Sequence, residues 1–511
     1  RDRALAATRR HTMASSDAPP DGCLIASTFD PSGLAAPLDA WLRLTSLAVR
    51  TEWLNFGTAL SALRDPLSAW NEHRGLSVLL VRLRDVGGDD ALDRLAGDLR
   101  ASHGLRRGPT AVLLPPDGAA DGDGDDDVVA SRLREALAGC DGISVVGERR
   151  LRAVCGWDAR RHYCAFLERA ARAPFAPSAL AAFAGEAVRE LARTLAPTRK
   201  VLCLDCDNTL WGGAVGELGA AGVSLNAPYV AAQRFFVELQ RRGLLVCLVS
   251  RNEEADVRAV FEARAAEMPL RLDEHVVAVA ANWRPKSENL RELARDLCLD
   301  VGSFVFVDDS PLECAEVHAA LGGKGVAVVR LPRDPAALPA FLRECWAFDA
   351  PPARHAPTRE DESRTKLYRE LAARRQVQTA AASSSAFFAS LNLCVAVAPL
   401  EAEAMPRAAQ LTERTNQHNA CKRQASAADL AALAANPSVR CWSVDASDRF
   451  GDHGTIGLVV ADEAATAAPA GCGVGATSVL HVRCWLLSCR SLHLGIEHQM
   501  LQHVGQAAAD A

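Results

Sequence analysis

The stretch "VLCLDCDNTLWGG", residues 201–213, decides how the chain is read. Four apolar residues of strand character run directly into two carboxylates, Asp205 and Asp207, one residue apart. A D-x-D-x-T run at a strand end puts acidic groups at the carboxyl edge of a sheet, where open α/β folds bind ligands. Two such carboxylates repel unless one is protonated or a cation lies between them. Mg2+ suits that place because it prefers oxygen ligands beside phosphate, and carboxylate is a nucleophile for phosphoryl transfer. Standing alone, the run would be a turn or a helix cap.

It has company downstream. Ser250 ends the apolar run "LLVCLVS" 45 residues after Asp205. Lys286, in "NWRPKSEN", follows after a further 36, and "FVFVDD" brings Asp308 and Asp309 after 22 more. Each group fits a part that phosphoryl transfer needs: a nucleophile, a proton donor, a hydroxyl for a phosphoryl oxygen, a neutralising ammonium and metal carboxylates.

The whole chain sets the bounds. Its 511 residues predict about three domains, and 49% hydrophobic with 23% charged residues is ordinary globular composition. A net charge of −6 with scattered basic residues argues against nucleic-acid binding. No apolar run approaches the ~20 residues that span a bilayer. The 16 cysteines lack disulfide-scaffold spacing, so reduced thiols and a cytoplasmic location are expected. Cys203 and Cys206 form C-x-x-C, but positions three apart on a strand face oppositely, which disfavours a metal or redox pair.

Residues 1–22 read as a disordered lead-in with Met13 as an alternative start, and their Arg- and Ala-rich character also fits an organelle transit peptide. Residues 23–155 alternate strand-like and helical runs, an N-terminal α/β domain with a parallel sheet. Within it, "DGAADGDGDDD" (117–127) departs from an EF-hand loop and reads as a solvated acidic loop. Residues 156–197 read as a helical connector, 198–350 as the catalytic α/β domain, 351–385 as a linker, and 386–511 as a terminal domain of mixed character. The G-C-G-V-G at 471–475 opens no helix and is no dinucleotide loop.

The constellation resembles the haloacid dehalogenase (HAD) superfamily. "LDCDNTLWGGAVGE", "LVSRNEEADVRAVFE", "NWRPKSENLRELARDL" and "SFVFVDDSPLECAEV" are similar to its subfamily IIIC, the FkbH-like proteins of polyketide pathways. That resemblance implies a HAD-like Rossmannoid parallel sheet without a large cap. It implies loading of the glyceryl group of 1,3-bisphosphoglycerate, with loss of phosphate, onto the phosphopantetheine arm of an acyl carrier protein. Asp205 would be the nucleophile or phosphate-facing carboxylate, Asp207 the general acid/base, Ser250 and Lys286 the phosphate ligands, and Thr209 and Asn252 substrate-binding residues. Asp205, Asp207, Asp308 and Asp309 would hold Mg2+. Asn252 could instead cap the following helix. Cys206, between the two carboxylates, reads as packing behind the strand rather than as a thiol acceptor. Arg251, Leu218 and Ser310 stand where the family has Lys, an acid and Asn.

"QLTERTNQHN", "DRFGDHGTIG" and "LLSCRSLHLGIEH" resemble the family's C-terminal, GNAT-like α+β region, with His493 where the phosphate turn would carry its first glycine. The chain ends at Ala511, before the closing strands of such a domain. A docking or pantetheine-recognition surface is the expected role, and His418 and His453 read as packing or surface residues. Ser27 of the first domain has no Asp-x-x-His partner, so that domain is expected to be structural or partner-binding. The other readings are a plain phosphatase on a small phosphoester and a non-catalytic carrier-protein scaffold.

Overall fold

The structure, a computed structural model, describes residues 22–509 apart from 46, 89, 107, 117–126, 141, 196–197, 350–363, 381–382, 416–417, 421–423, 467–476, 489–490 and 493. The lead-in, most of the acidic loop, the G-C-G-V-G run, and Arg490 and His493 of the terminal turn therefore lie outside the described residues. The chain divides into two compact units, residues 1–197 with 349–354, and 198–348 with 355–511.

The first unit is built on five parallel strands: β1 (Cys23–Ser27), β2 (Thr51–Trp53), β3 (Leu76–Leu80), β4 (Thr110–Leu113) and β5 (Ile143–Val146), in the order β2-β1-β3-β4-β5. The three inner strands β1, β3 and β4 are wholly buried, as a parallel sheet covered on both faces requires, while β2 and β5 at the edges are partly exposed. One cover is the helix Pro177–Leu195, which buries Leu180, Phe183 and Ala184. It packs on the helix Ala35–Leu44, whose Trp41 indole donates to Ala181 O at 2.8 Å. The stretch expected as a connector is thus a layer of this unit, as its long amphipathic pattern requires.

In such a sheet the ligand crevice opens between the carboxyl ends of β1 and β3, where the strand order reverses. Here the protein's own side chains fill it. Arg82, 1% exposed, donates to Asp85 and Glu168, each at 2.8 Å, and Thr28 Oγ1 donates to Asp85 at 2.8 Å. Phe29 and Phe175 flank the guanidinium, and Ser27 is buried with its Oγ accepting from Phe29 N at 3.2 Å. A closed crevice fits a structural role for this unit.

The second unit carries two sheets. The parallel one comprises β6 (Val201–Leu204), β7 (Leu245–Ser250), β8 (Val276–Ala281), β9 (Phe304–Asp308) and β10 (Ala327–Arg330), ordered β10-β9-β6-β7-β8. β6 is central and wholly buried. Leu202 and Leu204 join one core with Trp211 and Phe236, while Val201 and Cys203 join the opposite core with Phe304 and Phe306. Cys203 and Cys206 lie in these two different cores, so the C-x-x-C does not converge. None of the described cysteines is disulfide-bonded.

The other sheet is antiparallel: β11 (Cys394–Pro399), β12 (Val439–Asp448), β13 (Gly451–Thr466) and β14 (Thr477–Leu487), in sequential order. The helices Met405–Arg414 and Ala427–Ala434 pack on one face and Ile496–Ala509 on the other. Part of the expected linker is also structured. Residues Arg364–Ala380 form a helix whose Tyr368 and Leu371 enter the core around β6 and β9. Arg369 of this helix donates to the carbonyls of Leu272 and Val276 at 2.7 Å. The helical periodicity is carried by few apolar residues amid Arg, Glu and Ala, so composition masks it. Arg374, further along the same helix, pairs with Asp448 at 2.6 Å and approaches His453 Nε2 at 3.1 Å. His453 is buried, a packing position. Among the described residues no helix is long and apolar enough to cross a membrane.

Candidate active site

Parallel pairing of β7, β6 and β9 delivers Ser250, Asp205 and Asp308 to one edge of one sheet. Asp205 is the first residue after β6 and its amide donates to Val307 O at 3.0 Å, while Ser250 and Asp308 are the last residues of β7 and β9. The turn after β6 is set by Asn208, whose φ of +54° is a conformation Asn tolerates better than most residues. Its Oδ1 accepts from Gly213 N at 2.9 Å, and Gly213 itself has φ +95°.

Lys286 opens the helix Lys286–Asp296 and points back under the edge, 1% exposed. Its Nζ lies 2.6 Å from Asp205 Oδ1 and 2.6 Å from Asp308 Oδ2, and it also contacts Glu313. Ser250 Oγ donates to Asp205 Oδ1 at 3.1 Å. Asn252 Nδ2 donates to Asp207 Oδ2 at 3.0 Å and to Ser250 Oγ at 3.1 Å. The following helix takes Glu253 as its N-cap, so Asn252 faces the site and not the helix end. Thr209 is fully buried, and its Oγ1 has no hydrogen-bond partner among the described residues.

Asp205, Asp308 and Glu313 each offer an oxygen within 4.8 Å of the others. Asp207, expected as a fourth side-chain metal ligand, is held aside: its Oδ1 accepts from Trp211 Nε1 at 2.8 Å and Val215 N at 3.1 Å. Glu313 takes that place in the carboxylate cluster. It was not singled out from the sequence, although it lies four residues past Asp309 in the first turn of the helix Pro311–Leu321. Ser310 is the N-cap of that helix, and Arg251 pairs with Glu313 Oε1 at 3.2 Å. Ser310 and Arg251 thus each have a local partner. Trp211, inside the opening motif, was also missed; nothing but its indole N–H distinguishes it from a core aromatic.

The electrostatics follow from burial and crowding. Burial, then the neighbouring Asp205 charge, push Asp308 up to about 8 and Asp309 up to about 6. Asp205 is likewise raised, burial outweighing the attraction of Lys286. Lys286 moves oppositely: burial alone would discharge it, but Asp205, Asp308 and Glu313 together hold its proton more tightly. Three converging carboxylates against one ammonium leave negative charge that a second cation would relieve, and an all-oxygen donor set suits Mg2+. The Cys206 thiol is buried in the core, and burial and Asp205 raise its pKa well above the ordinary range. It is a packing residue in this geometry.

No protein-family model matches the chain, and no curated protein matches it. Among solved structures it is similar to the N-terminal part of the protein BF1531 from Bacteroides fragilis, containing a phosphatase domain and complexed with Mg. The match has 21% identity and a TM-score of 0.52, covering 64% of this chain and 93% of that one. The HAD family enzyme BT-2542 from Bacteroides thetaiotaomicron, complexed with magnesium and inorganic phosphate, overlaps a shorter part. The wild-type enzyme has 12% identity, covers 27% of this chain and 96% of that one, and has a TM-score of 0.19. The larger likeness shows the fold alone: an α/β architecture with parallel sheets over the matched part.

Proposed function

We propose that this chain is a Mg2+-dependent HAD-type phosphatase that acts on an acyl phosphate such as 1,3-bisphosphoglycerate and loads the glyceryl unit onto an acyl carrier protein. The observation that carries the catalytic part is Lys286 Nζ lying 2.6 Å from both Asp205 and Asp308 at the edge of the central strands.

Lys286 and Ser250 both hold Asp205 Oδ1, which presents Oδ2 as the attacking oxygen. Attack on a phosphate ester forms the Asp205–phosphorus bond as the ester oxygen leaves, and Asp207 supplies its proton. Water activated by Asp207 then cleaves the aspartyl phosphate and releases inorganic phosphate. Lys286 neutralises the phosphoryl oxygens, and Thr209 brings an unpaired hydroxyl to the same turn. Asp205, Asp308 and Glu313, with Asp309 beside them, would hold Mg2+, which would supply charge neutralisation. At the acyl phosphate a carrier thiol attacks the carbonyl carbon and expels phosphate, giving a thioester.

Access supports a macromolecular acceptor. Each link between neighbouring strands of β6 to β9 is a plain helical crossover, so no inserted domain covers the carboxyl edge. The GNAT-like reading of the antiparallel sheet would make it a pantetheine-recognition surface. Plain phosphatase action is the second reading, and the phosphatase domain of BF1531 favours it. Intact mass of candidate holo-carrier proteins, incubated with Mg2+ and 1,3-bisphosphoglycerate, separates the two. A glyceryl adduct that needs Asp205 supports transfer; phosphate release without adduct supports hydrolysis alone.

A further inference from the structure

At the opposite, amino edge of the same parallel sheet lies a cleft of about 690 Å3. One wall is a single face of the helix Ala227–Arg241, presenting Arg234, Glu238 and Arg241 at helical spacing. The other wall is the segment from Ala266 to His275, which carries Glu267, Arg271, Glu274 and His275 and leads directly into β8. One six-residue strand, about 20 Å, separates this edge from the carboxylate site.

Formal charge in the lining balances, but the partners do not. Glu238 is paired with Arg242 at 3.2 Å and Glu267 with Arg264 at 2.6 Å, two arginines outside the lining. Glu274 acts on His275, 3.9 Å away, and on Arg369. Every glutamate of the cleft therefore has a basic neighbour. Arg234, Arg241 and Arg271 make no side-chain ion pair or hydrogen bond among the described residues. Burial chiefly disfavours the protonated His275 imidazole; Glu274 opposes that, and Arg241 adds repulsion. The floor is apolar, with Met268 and Val237 buried. Three guanidinium groups without a side-chain partner among the described residues thus line a ligand-sized cleft over an apolar floor, and such planar donor forks suit anionic groups.

We propose that this cleft is a second ligand site, distinct from the catalytic edge, which binds a small organic anion carrying two phosphate groups. Arg234 and Arg241 lie two helical turns apart, about 10 Å along the axis. That separation is too wide for one phosphate and suits two, with Arg271 on the facing wall. The site does not depend on the catalytic reading, because none of its residues belongs to that edge.

The test is isothermal titration with fructose 1,6-bisphosphate as the probe, in EDTA and at matched ionic strength. It uses the full chain, the Asp205→Asn variant, and the paired variant Arg234→Gln with Arg241→Gln. Both arginines are exposed and glutamine is a good helix former, so the paired variant keeps the fold, which its thermal unfolding verifies. Saturable binding of equal strength in the full chain and in Asp205→Asn, weakened at least about tenfold in the paired variant, is the expected result. Three results overturn the proposal: no saturable binding, binding lost in Asp205→Asn, or binding unchanged in the paired variant. Sulfate binding as tightly as the bisphosphate would also overturn it, since a diffuse positive surface does not distinguish the two.

Discussion

Lys286 and Asp205 are 81 residues apart in the chain, and Nζ meets Oδ1 at 2.6 Å with both side chains almost wholly buried. An isolated buried ammonium would lose its proton; this one keeps it because three carboxylates surround it. Replacing Lys286 with methionine keeps the bulk and removes the charge, leaving Asp205, Asp308 and Glu313 to face one another. The expected cost is about 3–5 kcal/mol of stability in metal-free protein, the usual result of breaking a buried ion pair from one side. Added Mg2+ should restore part of the loss. Chemical denaturation with and without Mg2+ measures both, and an unchanged midpoint in EDTA would refute the account.

Asp205→Asn preserves shape and tests the chemistry. Lys286 retains Asp308 and Glu313, so the unfolding temperature should stay within a few degrees of the parent while phosphate release falls on the order of 10^3-fold or more. Release assayed on an acyl phosphate and on a simple phosphoester gives the number. Activity within tenfold of the parent would remove Asp205 as nucleophile.

The carboxylate crowding predicts a pH dependence with a definite sign. Asp308 titrates at about 8 and Asp309 at about 6 in the folded protein, both above the ~3.9 of an unfolded chain. Between roughly pH 4 and pH 8 the folded state therefore binds more protons, and stability of the metal-free protein falls as pH rises. Mg2+ binds the deprotonated groups, so the stabilisation it gives should grow over the same window. Melting curves at pH 6, 7 and 8, in Mg2+ and in EDTA, check this. A Mg2+ shift larger at pH 6 than at pH 8 would contradict it.

The first unit supplies a control of another kind. Arg82 closes the β1/β3 crevice by binding Asp85 and Glu168, and Arg82→Met leaves Asp85 with only the Thr28 hydroxyl and Glu168 with the half-exposed Arg84 and the Tyr163 hydroxyl. Destabilisation of about 3–5 kcal/mol is expected. Phosphate release per folded molecule, corrected by the unfolded fraction, should not change.

What the sequence disclosed depended on how local the signal was. Asp205, Ser250 and Asp308 could be read because each follows a short apolar strand, and parallel strands must bring such ends to one edge. Lys286 sits on a helix, where spacing gives no direction; its order among the other groups suggested a neutralising ammonium, and the resemblance implied that it faces phosphate. Glu313 and Trp211 were missed for different reasons. A glutamate in a helix's first turn is ordinary capping composition, and an indole in an apolar run looks like core until its N–H is seen to hold Asp207. The helix Arg364–Ala380 passed for linker because only a few apolar side chains amid arginines dock it, and docking is a tertiary fact. No local pattern marks Arg82 as buried, and its burial depends on Glu168, 86 residues away.

Trp211 and Asn252 give the last prediction. They hold the two oxygens of Asp207 separately, Trp211 Nε1 on Oδ1 at 2.8 Å and Asn252 on Oδ2 at 3.0 Å. Trp211→Phe keeps an aromatic ring against Phe261, whose centroid lies 5.9 Å away, and removes only the N–H. Losing one hydrogen bond to a charged group should lower kcat roughly tenfold with little change in KM, since the carboxylate loses its aim and not its contact with substrate. Asn252→Ala should act similarly but also free Ser250, so its KM should rise as well. Because both variants loosen one carboxylate, the double variant should lose less than the product of the two single losses. Multiplying losses would mean that the two residues act on different steps, and that Asp207 is not the group they position in common.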